Sequence, residues 1–388
     1  MNDRTRALLV FSLALVLMCL IVNVFPYEYR DSDSLCYSVI SQRLASEPIP
    51  TWCAPQWWGH GGLQGPFQEH PPGILWLPAL LARLGVKPNA AALCANFLYI
   101  LLSLYFLFRL AGRWADSLLG WGAVFGIVLT PVFIQYLIRA NQEPPLNLAV
   151  LAGIYGLARY QDSRRGGGLF IAALVLAVLV KGVSVLLLSM LAGLFWLIVA
   201  RNKKTFVLIV VGHLVILGVV AVFELWYRSV THQSFWQSYY AIQSARSLAG
   251  GFQPLRKVYN LAWYAARVLV FAAPWVYFLL YEWVAPKKRK IGRLRDPLLR
   301  FLVAGSLAVI VFFSLSDRKA DRYIFPAYIL LALAGLMVFL KARPKVTDWL
   351  RRRERRLPVY LGAMLVVLTL IRIFFHSHLY RFIRIWPQ

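Results

Sequence analysis

One polar stretch near the start of the chain carries the residue types that enzymes use to move protons. Residues 27–72 separate two apolar segments and end in a Glu-His-Pro-Pro sequence, whose prolines favour a stiff turn into a helix. The ionisable residues of this stretch include Asp31, Asp33, Glu47, Glu69 and His70. A positioned carboxylate or imidazole can act as a general acid or base. We take Asp33 as the candidate base and Asp31 as the alternative. Asp33 can instead have a purely structural role, as the N-cap of a helix at 34–45.

Further ionisable residues stand at the ends of apolar segments later in the chain. Glu143 begins one such segment, Lys181 interrupts another, and Arg246 and Arg322 precede two more. Arginine offers phosphate a planar fork of donors, and lysine offers it a point charge. A purely structural role can also account for each of these residues. An acidic residue is favourable at a helix N-terminus, and a long Lys or Arg side chain can extend its charge to the membrane surface.

The composition is that of a membrane protein. The chain has 388 residues, of which 60% are hydrophobic and only 15% charged, against about 25% charged in an average soluble domain. Its mean hydropathy is +0.62. Apolar runs of about 20 residues recur along the sequence, and such runs form transmembrane helices, since backbone groups in lipid must bond internally. The runs do not alternate as the strands of a membrane barrel would.

The distribution of basic residues predicts the topology. The net charge is +26, and most of the cations lie in short loops between apolar segments, which argues against nucleic-acid binding. About eleven spans are predicted, at 7–25, 90–110, 118–137, 145–159, 169–180, 183–200, 206–226, 261–283, 301–316, 323–340 and 359–375. With a cytoplasmic N-terminus, the basic loops all fall inside, as the positive-inside rule requires, provided that the chain reverses near Lys181-Gly182. The candidate site residues then share the outer face.

Three further features near the start of the chain bear on the fold. Cys36 and Cys53 share the first outer loop, where they can form a disulfide in an oxidising compartment or remain as two thiols. The segment at 7–25 is expected to be a retained helix, because no small-residue cleavage site follows it. The apolar residues 72–86 are too few to span comfortably and predict a juxtamembrane helix.

Several short motifs, in order along the chain, resemble those of GT-C glycosyltransferases. The groups that they are most similar to are the bacterial aminoarabinose transferases of lipid A and the protein O-mannosyltransferases. The motifs are Asp33-Ser34-Leu35-Cys36-Tyr37, Glu69-His70-Pro71-Pro72-Gly73, the segment 139–146, Lys181-Gly182, the segment 235–246 and Asp321-Arg322-Tyr323-Ile324-Phe325-Pro326. There are departures: Ser34 stands where many relatives have a second acid, Glu143 stands where an Asp is usual, and His70 replaces the Lys of the aminoarabinose enzymes.

The resemblance implies an all-α polytopic fold of the GT-C type. Residues 1–388 would form one transmembrane domain, with 27–72 as the first, catalytic outer loop and its juxtamembrane helices, and 227–260 as the second large outer loop. The implied enzyme is a hexosyl- or pentosyltransferase of a bacterial inner membrane. It would move a sugar, with inversion, from a polyprenyl-phosphate donor to a lipid, glycan or protein acceptor on the extracytoplasmic face. A flippase or transporter of lipid-linked sugars is the alternative.

The resemblance also implies roles for individual residues. Asp33, Glu69 and Glu143 would serve catalysis, and the donor phosphate would be held by His70, Lys181, Arg246 and Arg322. Asp33 and Glu143 are in addition candidates for ligands of a divalent metal cation. No nucleotide is expected, in keeping with a sequence that has neither a P-loop nor a GxGxxG fingerprint. Membrane lipids are the other expected partners, and nucleic acid is not.

Overall fold

The structure, a computed structural model, describes residues 3–25, 31–57, 64–137, 139–248, 253–284, 296–316 and 319–375. Within these ranges, the side chains of 135, 244–248, 282 and 283 are not described.

The described residues form helices and connecting loops, with a single isolated β-bridge between Gln56 and Pro66. The helices are α1 (Asp3–Val24), α2 (Ser32–Ser46), α3 (Gly73–Arg83), α4 (Pro88–Trp114), α5 (Ser117–Val128), α6 (Pro131–Tyr136), α7 (Glu143–Tyr160), α8 (Arg165–Lys181), α9 (Val185–Phe195), α10 (Lys203–Thr231), α11 (Phe235–Leu248), α12 (Pro254–Phe271), α13 (Trp275–Val284), α14 (Pro297–Ser314), α15 (Phe325–Ala342), α16 (Pro344–Arg353) and α17 (Leu357–Phe374).

The protein spans the membrane several times, as the hydropathy predicts. Within the described residues, seven helical stretches are long and apolar enough to cross a bilayer, and an eighth is added if α12 and α13 count as one bent span. These stretches are Asp3–Val24, Pro88–Trp114, Arg165–Ala200, Lys203–Thr231, Pro297–Ser314, Asp321–Ala342 and Pro344–Phe374. Each predicted span has a helical counterpart, and the total of eleven stays a prediction.

The helical stretch Arg165–Ala200 reverses direction at its centre. α7 has 18 residues and is therefore about 27 Å long. Lys181, at the end of α8, lies beside Glu143 at the start of α7. From Lys181 the chain continues for only about one helix length before it reaches Asn202. Asn202 donates a hydrogen bond to Gln161, which lies just beyond the other end of α7. α8 and α9 therefore run in opposite directions. The reversal predicted near Lys181-Gly182 is confirmed, and Gly182 at its centre has a φ of +48°, a conformation that favours glycine.

The span predicted at 261–283 is two helices rather than one. α12 and α13 meet at an angle of 106°. α12 has an unusual distribution of polarity, because Asn260 and Arg267 are buried whereas Leu255 is 86% exposed. This is the pattern of a helix whose outer face meets lipid and whose polar face meets protein.

The first outer loop has a small hydrophobic core of its own, which rests on the main helical core. α2 and α3 confirm the helices that the sequence predicts at 34–45 and 72–86. The loop core consists of Tyr37, Ile40, Leu44, Trp52, Phe67, Ile74, Leu75, Ala79 and Val180. The first five belong to the loop, the next three to α3, and Val180 is in the final turn of α8. The loop is thus packed directly against the residue that precedes Lys181.

Candidate active site

An acid from the first outer loop meets a cation from the far end of the chain. Arg322 donates a hydrogen bond through its Nη2 to Asp33 Oδ2 at 2.7 Å. Asp33 lies in the first turn of α2, and Arg322 lies in a short helical turn, Asp321–Ile324, that leads into α15. The Asp33 side chain is 36% exposed, so the pair lies at the edge of the protein interior where a substrate can reach it.

Glu143 lies on the inner side of this pair. It is the first residue of α7 and only 2% exposed. Its Oε1 atom is 3.5 Å from Arg322 Nε and 3.4 Å from Lys181 Nζ. The Lys181 ammonium also lies 4.7 Å from the centre of the Tyr323 ring, a favourable cation–π contact. Two cations therefore converge on one buried carboxylate, and Arg322 bridges it to Asp33.

The helix that carries Asp33 is capped by its neighbour. Asp31 accepts hydrogen bonds from the Ser34 N–H at 3.0 Å and from the Ser34 hydroxyl at 2.8 Å, and it lies 3.6 Å from Arg139. The expectation that Asp33 is the N-cap is therefore wrong. Because Asp31 satisfies the helix terminus, the Asp33 carboxylate is available to Arg322.

The segment before α7 is tied to α2 by side-chain hydrogen bonds. The Ser34 hydroxyl accepts from the Ala140 N–H at 3.0 Å, and Gln142 donates to the Tyr37 hydroxyl. Burial, with the nearby charges of Asp33, Glu143 and Glu69, raises the pKa of Tyr37 well above its ordinary value. These bonds fix the distance between the loop that bears Asp33 and the helix that begins at Glu143.

Glu69 and His70 lie at the start of α3, next to the same cluster. The Glu69 carbonyl accepts a hydrogen bond from Gln243 of α11 at 2.7 Å. Burial raises the pKa of the Cys36 thiol to about 12, and the charges of Glu69 and Asp33 add to this effect. Glu69 and Asp33 are therefore both neighbours of Cys36. His70 follows it and is half-buried.

The beginning of α3 is packed tightly against the end of α8. A Cβ atom on Gly73 would lie 2.5 Å from the carbonyl oxygen of Leu179, so only glycine permits this approach. Leu179 lies two residues before Lys181. The Glu-His-Pro-Pro turn is thus held beside the lysine, as one wall of the cluster.

The structure does not describe the side chain of Arg246, the remaining cation of the predicted set. Its backbone belongs to α11, three residues beyond Gln243. Of the predicted residues, Asp33, Glu143, Lys181 and Arg322 form direct contacts. Glu69 and His70 lie in the turn before α3, and the position of the Arg246 side chain falls outside the described part of the chain.

Comparison with known proteins agrees with this architecture. The sequence model for the dolichyl-phosphate-mannose-protein mannosyltransferase family matches residues 69–227. A crystal structure of ArnT from Cupriavidus metallidurans in the apo state aligns with 88% of this chain and 61% of its own, with 18% identity and a TM-score of 0.67. The chain has the GT-C fold. A second ArnT structure, bound to undecaprenyl phosphate, aligns with 98% of this chain and 74% of its own, with 15% identity and a TM-score of 0.66.

The resemblance to GT-C glycosyltransferases that use polyprenyl-phosphate sugars is thereby confirmed. No curated protein matches the sequence. The chain spans less than two thirds of the first ArnT chain. The sequence identity to the two ArnT structures is low, so these structures establish only the GT-C architecture of this chain.

The cluster has neighbouring ion pairs to which the sequence analysis assigns no role. Arg267 of α12 lies 3.0 Å from Asp321, the residue before Arg322. Arg139 pairs with Asp31, as described above. A cation within the predicted span 261–283 is a feature that could have drawn attention to Arg267. Nothing local distinguishes Arg139 from an ordinary loop arginine.

The two carboxylates proposed as metal ligands fit a guanidinium better than a metal ion. Arg322 lies between Asp33 and Glu143, and the nearer oxygen of Glu143 also faces Lys181. Over the described ranges, no group of three or more His, Cys, Asp and Glu residues is arranged to hold a metal. We therefore derive no chemical step through a metal. Cys36 and Cys53, for which a disulfide was one alternative, are free thiols.

A small cavity lies on the inner side of Glu143. It has a volume of about 30 Å³ and is lined by Asn147 and otherwise mostly by apolar side chains, such as Phe325. Such a volume suits a few water molecules, whereas ligand pockets measure several hundred Å³. The cavity is therefore too small for a sugar, and Asp33 is the exposed residue of the cluster.

Proposed function

We propose that this protein is a glycosyltransferase that moves a sugar from a polyprenyl phosphate to an acceptor on the extracytoplasmic face of a bacterial inner membrane. The observation that carries this proposal is the convergence of Lys181 and Arg322 on buried Glu143, with the exposed carboxylate of Asp33 bound to the same arginine. One ArnT structure of the same fold contains undecaprenyl phosphate, which supports a donor of this chemical class.

The donor phosphate takes the place of the Asp33 carboxylate at Arg322 and also binds Lys181. Arg322 already forms contacts with two acids, and a phosphate presents the same negative oxygens to its planar fork. Glu143 keeps the cations balanced until the donor arrives, because an unpaired buried charge is costly. Once the donor is bound, the two cations stabilise the negative charge that grows on the departing polyprenyl phosphate. We assign His70 and Arg246 as further donors to this phosphate.

Asp33 acts as the general base. It takes the proton of an acceptor hydroxyl while the acceptor oxygen bonds to C1 of the sugar. The bond from C1 to the phosphate oxygen breaks at the same time, and its electron pair leaves with the polyprenyl phosphate. Attack from the face opposite the leaving group inverts C1. Glu69 and Glu143 orient these groups.

The proposed orientation places the N-terminus in the cytoplasm. The cluster formed by Asp33, Glu143, Lys181 and Arg322 lies at one end of α7, and basic loop residues such as Arg164 lie at the other. The positive-inside rule then assigns the cluster to the outer face. The acceptor is a lipid, glycan or protein that bears a nucleophilic hydroxyl.

A reconstituted transfer assay tests the proposed function. Purified protein in liposomes is incubated with undecaprenyl-phosphate hexoses and pentoses and with a panel of lipid, glycan and peptide acceptors. We expect new glycosidic product and release of undecaprenyl phosphate, both lost in Lys181→Met. Movement of the intact donor across the bilayer without release of undecaprenyl phosphate would support a transporter and contradict the proposal.

A further inference from the structure

The reversal of the chain at Lys181-Gly182 is closed by a side chain from the second outer loop. Tyr239 of α11 is fully buried. Its hydroxyl donates to the Lys181 carbonyl at 3.0 Å and accepts from the Val183 N–H at 3.1 Å. A helix that ends inside a protein leaves backbone groups without partners. One phenol thus satisfies a group on each side of Gly182.

The fit between Tyr239 and the reversal is close. A Cβ atom on Gly182 would lie 2.6 Å from the ring carbon that bears the Tyr239 hydroxyl. The positive φ of Gly182 also favours glycine. The phenol therefore occupies the space that a side chain at position 182 would need, and it fixes the backbone at the residue that carries the ammonium.

α11 is anchored so that Tyr239 has little freedom to move. Glu224 of α10 accepts hydrogen bonds from the N–H groups of Phe235 and Trp236 at 3.1 and 3.3 Å, which caps the first turn of α11. The Phe235 ring stacks on the Tyr239 ring with centres 5.8 Å apart. One turn later, Gln243 binds the Glu69 carbonyl. A single face of α11 thereby joins the reversal to the Glu-His-Pro-Pro turn.

We propose that Tyr239 is a positioning residue that sets the place of the Lys181 ammonium for the donor phosphate. The inference rests on the proposed function, because it takes Lys181 as a phosphate-binding group. The Tyr239 hydroxyl touches only the backbone of the reversal in the contacts described above, so its effect reaches the donor through Lys181. The second outer loop then contributes to donor binding because it fixes the backbone conformation at the reversal.

The test measures the affinity of the purified protein for undecaprenyl phosphate in detergent. Tyr239→Phe removes only the hydroxyl and keeps the buried ring. We expect about a 10-fold weaker affinity, since two backbone groups at the break lose their partner. Tyr240→Phe is the matched control: Tyr240 is the next residue and is 52% exposed, and its variant should bind like the wild type. Gly182→Ala, which disturbs the same contact from the other side, should also weaken binding.

A double-mutant cycle separates positioning from general loss of structure. In a Lys181→Met background, Tyr239→Phe should cause no further loss of affinity, because the group that it positions is gone. Wild-type affinity in Tyr239→Phe, or an equal loss with and without Lys181, would overturn the inference while leaving the proposed function intact. Failure of the wild type to bind undecaprenyl phosphate would instead contradict the proposed function, and the inference with it.

Discussion

Arg322 donates to Asp33 at 2.7 Å and lies 3.5 Å from Glu143, so the guanidinium joins a surface acid to a buried one. This relationship connects the first outer loop to the turn before α15. In the proposed mechanism it also connects the base to the leaving group, since the same arginine pairs with Asp33 before the donor binds and with phosphate afterwards. Donor binding then releases the carboxylate that must accept the acceptor's proton.

Replacing Arg322 should weaken donor binding. Arg322→Gln removes a charged donor, and hydrogen bonds to charged groups contribute about 1.5–3 kcal/mol, or about 10- to 100-fold in affinity. Undecaprenyl phosphate affinity of the purified variant measures this loss. Arg351→Gln is a suitable control, because Arg351 pairs with Asp116 at 2.8 Å on an exposed surface, away from the cluster. Wild-type affinity in Arg322→Gln would refute the assignment of Arg322 to the donor phosphate.

Glu143 should matter most for stability when no donor is present. Glu143→Gln leaves Lys181 and Arg322 facing an uncharged amide, and loss of one partner from a buried ion pair costs about 3–5 kcal/mol. Because a lipid phosphate restores the missing negative charge, undecaprenyl phosphate should raise the melting temperature of the variant more than that of the wild type. Equal shifts in both proteins would argue against the exchange of carboxylate for phosphate. Asp116→Asn, at an exposed pair, should cost less than about 1 kcal/mol.

Cysteine labelling tests the proposed orientation. Arg164 and Gln253 are both exposed and are assigned to opposite sides of the membrane. Burial raises the pKa of Cys53 to about 11 and is the main cause of the pKa of about 12 at Cys36, so at neutral pH these native thiols should give little background. An impermeant maleimide added to spheroplasts should label Gln253→Cys at once and Arg164→Cys only after permeabilisation. The opposite pattern would invert the topology.

Local sequence patterns predicted the helices and the positions of the charged residues. The Glu-His-Pro-Pro turn begins α3, and the chain reverses at Lys181-Gly182, as predicted. Both features depend on neighbours in sequence: prolines favour a helix start, and a lysine within an apolar run favours a break. The same reasoning placed Glu143 at a helix N-terminus.

Partners that are distant in sequence could not be predicted in the same way. Nothing in the sequence around Asp31 and Asp33 shows which acid caps α2 and which meets Arg322, because that choice depends on where α15 packs. The ion pair between Arg267 and Asp321 depends on the packing of α12 against the turn before α15. The 106° bend between α12 and α13 interrupts what the sequence predicts as one apolar span. Tyr239 stands in a loop rich in Tyr and Trp, a composition typical of membrane-surface anchors, yet it is buried at the reversal.

The most direct test of the central claim is the single-turnover rate of sugar transfer in Asp33→Asn, with saturating undecaprenyl-phosphate sugar and an accepted hydroxyl acceptor. General base catalysis contributes about 100- to 10,000-fold, so we expect a loss of that size with donor binding retained. Asp31→Asn serves as the control, because asparagine caps a helix about as well as aspartate and the proposed base stays in place. A wild-type transfer rate in Asp33→Asn would contradict the proposed mechanism.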